Sequence, residues 1–64
     1  MGTLVEQINN LPDRIKRVKL YKINGQYITT LQPKEVIEQY CNWNYSCGYS
    51  DSMDTVSIWV YKPL

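Results

Sequence analysis

Arg17-Val18-Lys19-Leu20-Tyr21-Lys22-Ile23-Asn24-Gly25-Gln26-Tyr27-Ile28-Thr29-Thr30-Leu31 carries the decision about fold. On its first half the side chains alternate: Val18 and Leu20 fall on one face with Lys16 and Lys22, while Arg17, Lys19, Tyr21 and Ile23 fall on the other. Asn24-Gly25 then interrupts the run with the pair preferred in a two-residue type I′ turn, in which both residues take positive φ. That turn predicts a hairpin in which Ile23 faces Gln26, Tyr21 faces Ile28, Lys19 faces Thr30, Leu20 faces Thr29 and Val18 faces Leu31.

Upstream, Thr3-Leu4-Val5-Glu6 reads as a capping box followed by Leu4, Ile8 and Leu11 at helical spacing. The spacing predicts a helix over 4–10, closed by Asn9-Asn10 and by Pro12, which disfavours helical backbone in the residue before it. Downstream, Pro33 suits the first turn of a second helix and Glu35 suits its positive start. Val36, Ile37, Tyr40 and Cys41 form its apolar stripe, with Trp43 on the margin. A polar, aromatic loop is expected from there to about Asp54. Thr55-Val56-Ser57-Ile58-Trp59-Val60-Tyr61 is a strand by alternation, stopped by Pro63.

The expected fold is α+β: a single domain over 1–64 with the order α-β-β-α-β and a three-stranded, mainly antiparallel sheet with a helix packed on one face. Val18, Leu20, Leu31, Val56, Ile58 and Val60 supply the core beneath the second helix. Tyr21, Ile23, Ile28, Trp59 and Tyr61 fall on the opposite face beside Arg17 and Lys19, which is too apolar a surface for water. Either the N-terminal helix covers it through Leu4, Ile8 and Leu11, or a second subunit does. A domain of 64 residues buries only about 60% of the surface of its unfolded chain. The expectation is therefore a homodimer.

The chain has no histidine and two cysteines, so Cys2His2 and Cys3His zinc sites are excluded and no metal or other cofactor is expected. Nothing resembling a signal peptide opens the sequence, and no apolar run approaches the length of a membrane span, which points to the cytoplasm. In that compartment Cys41 and Cys47 are read as two reduced thiols, one of them buried, with a disulfide between them as the alternative.

Net charge is +1, which argues against a general nucleic-acid coat. Its distribution is uneven, however: Arg14, Lys16, Arg17, Lys19 and Lys22 lie within one stretch free of acids, whereas Glu35, Glu38, Asp51 and Asp54 lie in the second half. A basic strand of this kind can simply keep a sheet edge soluble, or it can meet an anionic ligand or an acidic partner.

Catalysis has no candidate residues. A cysteine nucleophile lacks its histidine base, Asp51 and Asp54 lack the further oxygen ligands of a calcium loop, and no glycine-rich phosphate loop is present. Recognition chemistry is better represented. Trp43-Asn44-Tyr45-Ser46-Cys47-Gly48-Tyr49-Ser50 has the composition of binding surfaces, with rigid rings for contact area and small polar residues for adaptable hydrogen bonding. The expected ligand-binding residues are Arg17, Lys19, Tyr21, Trp43, Asn44, Tyr45, Tyr49, Trp59 and Tyr61.

The leading expectation is a non-enzymatic homodimer that sequesters a small anionic, nucleotide-like ligand in an aromatic pocket at its seam. The alternatives are an inhibitor or adaptor that contacts a larger protein through its rings, and a binder of single-stranded nucleic acid through Arg17, Lys19 and Tyr21. In size and composition alone the chain resembles phage-encoded proteins that block host defences. That resemblance implies either occupation of a host protein or sequestration of a nucleotide-derived signal.

Overall fold

The computed structural model describes residues 3–63. The elements run α1 (Leu4–Asn9), β1 (Arg17–Lys22), β2 (Tyr27–Leu31), α2 (Pro33–Gln39), β3 (Asn44–Ser50) and β4 (Thr55–Tyr61). The chain is a small α+β domain with both helices on one face of a four-stranded mixed sheet in the order β2-β1-β4-β3.

Each helix begins with one side-chain-to-backbone bond of a capping box. The Thr3 hydroxyl accepts from the Glu6 amide at 3.2 Å, and a Glu35 carboxylate oxygen accepts from the Gln32 amide at 3.1 Å one residue ahead of Pro33. Such short helices are held by packing rather than by propensity. Leu4 and Ile8 of α1 and Val36 of α2 are buried in one cluster with Val18 and Leu20 of β1 and with Val56, Ile58 and Val60 of β4. Ile15, on the turn leading into β1, joins them, while Leu31 packs against the cluster from β2. Among the described residues, no helix is long and apolar enough to cross a membrane.

The sheet has one strand more than the sequence pattern indicates. Residues Asn44–Ser50, expected as a loop, form the edge strand β3 antiparallel to β4, and the order becomes α-β-β-α-β-β. Neither β-branched residues nor clean alternation mark this segment. Its pairing is instead held by close backbone approach: a Cβ placed on Gly48 would stand 2.9 Å from the Ser57 carbonyl oxygen and 3.2 Å from Ile58 Cγ1. The extra strand makes β4 interior, and β4 runs parallel to β1 from Arg17 opposite Thr55 to Lys22 opposite Val60.

The hairpin differs in a second respect. Asn24 does not take positive φ; only Gly25 does, at +94°. The Asn24 side chain accepts from the Gln26 amide at 2.9 Å, an Asx turn that keeps its backbone right-handed. The Gly25 amide donates to the Lys22 carbonyl and the Lys22 amide to the Gln26 carbonyl, each at 2.8 Å, so the loop is the three residues Ile23, Asn24 and Gly25 rather than a type I′ pair. Tyr21 consequently faces Tyr27, not Ile28. A bulge then takes up Ile28, and the expected pairs return: Leu20 with Thr29, Lys19 with Thr30, Val18 with Leu31.

Because α1 lies beside α2 on the core face, it does not cover the other side of the sheet. That side is open.

Candidate functional site: an aromatic row on the open sheet face

Each of the four strands contributes a ring to the open face. Tyr27 of β2 meets Tyr21 of β1 edge to face, with centroids 5.6 Å apart and planes at 71°. Tyr21 stacks on Trp59 of β4 at 4.8 Å and 16°, and Trp59 stacks on Tyr49 of β3 at 5.3 Å and 27°. The spacing follows from the sheet itself, since neighbouring strands lie about 4.8 Å apart and rings standing on them at one level are brought into stacking contact. The two ends of the row are open, Tyr27 being 52% and Tyr49 60% exposed. The Tyr27 hydroxyl is fixed by a 2.7 Å hydrogen bond with Thr30.

This geometry decides what the face can hold. Tyr21 and Trp59 already occupy one another's faces, so a flat ligand cannot enter between them. The row forms a continuous ridge of rings suited to a broad surface.

Toward the start of β1 and β4 the face becomes charged. The Lys19 ammonium lies 3.5 Å from an Asp51 carboxylate oxygen, and the same oxygen accepts a hydrogen bond from the buried Ser57 hydroxyl. Asp54 accepts from the Thr55 hydroxyl at 3.0 Å and the Ser52 hydroxyl at 3.1 Å, while its carbonyl accepts from the Lys16 and Arg17 amides at 2.8 and 3.1 Å. The Thr55 hydrogen bond, then that of Ser52 and the charge of Arg17, hold the Asp54 carboxyl below the usual carboxylate range against a weaker opposing effect of desolvation. Asp51 and Asp54 thus serve as acceptors that tie the β3–β4 turn to both central strands. Among the described residues, no buried side-chain polar atom lacks a partner.

Of the residues expected to bind, Arg17, Lys19, Tyr21, Tyr49 and Trp59 are brought to this face. Tyr61 lies two residues beyond Trp59 at the end of β4, with Asn44 opposite it. Tyr45 packs on the core instead, and Trp43 leans against Tyr40 at 5.2 Å and 65°, also against the core. Ile28 turns to the core because of the bulge, and Ile23 stands at the hairpin tip. Tyr27 was not expected on this face, because the type I′ register sends it to the other side. The signal available for it was the capacity of Asn24 to form an Asx turn. Both cysteines are free and exposed, so neither the bridge nor the buried thiol is present.

A second feature lies where β1 and β4 end, beyond the reach of the helices. Lys22, Ile23, Trp43, Val60, Tyr61 and Lys62 line a cleft of about 270 Å³. The Lys62 ammonium stands 5.5 Å from the Trp43 ring centroid. Compared with protein-family models, with curated proteins and with solved structures, the chain finds no match.

Proposed function

We propose that the protein is a non-enzymatic binding protein that works as a homodimer, two copies meeting through the open faces of their sheets. The observation that carries this reading is the self-stacked row Tyr27, Tyr21, Trp59 and Tyr49 on a face that no helix among the described residues covers. Tyrosine and tryptophan dominate the energetics of protein contacts, and a flat ridge of them fits a sheet better than it fits a small molecule.

Two properties of the face favour a second copy over an unrelated surface. A rotation by half a turn about an axis parallel to the strands, passing between β1 and β4, reverses the strand order. It sets Tyr21 over the partner's Trp59 and Tyr27 over the partner's Tyr49, so rings meet rings along the whole row. The charged end also carries Arg17 and Lys19 together with Asp51 and Asp54, two charges of each sign, so two copies bring no net repulsion to the contact.

Four strands at about 4.8 Å spacing and six residues at about 3.3 Å rise give a footprint near 400 Å². That is below the ~800 Å² per partner of a standard interface, so the association should be reversible and concentration-dependent rather than obligate. Sedimentation equilibrium tests it: a monomer–dimer equilibrium in the micromolar range is expected, abolished by Trp59→Ala with Tyr49→Ala. A chain that stays monomeric to millimolar concentration, while a different protein binds the face in a Trp59-dependent way, would replace the dimer by an inhibitor or adaptor.

A further inference from the structure

We infer that the cleft at the end of β1 and β4 is a binding site for a small planar anion, an aromatic ring bearing a phosphate or carboxylate. It lies at the ends of these strands, and none of the stacked rings Tyr27, Tyr21, Trp59 and Tyr49 lines it. The floor is the buried Val60, the walls are the Trp43 and Tyr61 rings with Ile23 on the rim, and no carboxylate lines it. Lys22 at the end of β1 and Lys62 just past β4 give the rim two positive charges. The volume of about 270 Å³ lies near the lower limit of ligand pockets, enough for a single ring system with one charged group and too small for a large cofactor.

The rings and cations are arranged for divided recognition. Trp43 is steadied from behind by Tyr40 at 5.2 Å, which fixes the indole as a wall. Lys62, with its ammonium over the indole 5.5 Å from its centre, covers that face of Trp43 and leaves the ligand ring to Tyr61 and Ile23, while the ammonium stands beside them to meet the anion. Lys22 comes from the strand end just before the three-residue loop, and its backbone is fixed by both hydrogen bonds that close the hairpin. The anion thus has two ammonium donors on a rim anchored by β1 and β4, while the ring is taken by apolar and aromatic walls.

The two tryptophans separate this site from the dimer face. A Trp59→Phe variant keeps the stacked row and leaves Trp43 as the only indole, so its emission reports the cleft. Adenosine 5′-monophosphate and benzoate are the probes, with adenosine and inorganic phosphate alone as the arms that divide ring from charge. Saturable quenching by one of the two ring-bearing anions below about 1 mM is expected, with adenosine and inorganic phosphate each about tenfold weaker.

Lys22→Ala with Lys62→Ala should weaken the probe about tenfold while leaving self-association unchanged, since both residues are exposed and neither belongs to the stacked row. Absence of saturation at about 1 mM for both anions, or an undiminished response in the double lysine variant, overturns the site without touching the dimer. Loss of dimerisation in Trp59→Ala with intact amide shifts at Lys22 and Ile23 on adding the nucleotide would separate the two in the opposite direction.

Discussion

The rings of Tyr21 and Trp59 lie stacked across the parallel β1–β4 pair, 4.8 Å apart and 16° from coplanar orientation, at the register position where the two residues are direct partners. Trp59 also stacks on Tyr49, so its removal breaks two ring contacts. Each such pair contributes about 0.5–1.5 kcal/mol beyond area burial. Trp59→Ala should therefore cost about 1–3 kcal/mol in urea denaturation yet keep a cooperative transition, while Trp59→Phe stays within about 1 kcal/mol of the parent. If Trp59→Ala abolishes the cooperative transition, the ring belongs to the core and the open-face site is misplaced.

The core should respond differently. Ile58 is 2% exposed between Val56 and Val60, and Ile58→Ala should cost about 2–5 kcal/mol through lost contacts and the cavity left behind. Met53, 80% exposed on the β3–β4 turn, provides the control: Met53→Ala should stay within about 0.5 kcal/mol by the same measurement.

Much of this architecture is legible in the sequence because alternation in β1 and β4 is unambiguous. Val18, Leu20, Val56, Ile58 and Val60 declare one face, and the open face follows by parity. The edge strand β3 was not legible. Asn44, Ser46, Gly48 and Ser50 carry turn composition, and their pairing depends on β4 lying alongside and on a backbone approach that only glycine at position 48 permits. Tyr27 was lost for a different reason. Asn24-Gly25 satisfies both a two-residue and a three-residue loop, and the choice shifts the residues between the loop and the Ile28 bulge by one, which reverses their faces.

That ambiguity makes the loop testable. Gly25 holds φ at +94° with nothing within 4 Å of a built Cβ, so Gly25→Ala strains the backbone without any clash. It should lower stability by about 1–2 kcal/mol, whereas Asn24→Gly, which retains the three-residue loop but loses the Asx bond, should cost less than about 1 kcal/mol. Thermal denaturation followed by circular dichroism ranks the two. An Asn24→Gly variant that is more disruptive than Gly25→Ala would contradict the assigned turn.

Gly48 presents the opposite situation, space rather than φ. A methyl group there meets the Ser57 carbonyl at 2.9 Å, and that oxygen belongs to an interior strand that cannot yield. Gly48→Ala should therefore push β3 away from β4, costing about 1–3 kcal/mol and displacing Tyr49 from Trp59. Amide exchange checks the location: protection should fall along Tyr45–Ser50 before it falls in β1. Uniform loss of protection across the sheet would mean that β3 is not separately displaced.

The acid side of the stability profile should be set in part by Asp54. Its folded-state pKa is lowered, first by the Thr55 hydroxyl, then by Ser52 and by Arg17, so the carboxylate form is favoured in the fold relative to the unfolded chain. A depressed carboxyl pKa contributes stability that is fully present above the unfolded value of about 3.9 and disappears as pH falls through the lower, folded value. Urea midpoints measured from neutral pH downward should fall through this acid range in the parent. Asp54→Asn, which keeps one acceptor for the Thr55 hydroxyl but cannot titrate, should be less stable than the parent at neutral pH and converge on it in acid. Parallel pH profiles for the two proteins would remove Asp54 from the linkage.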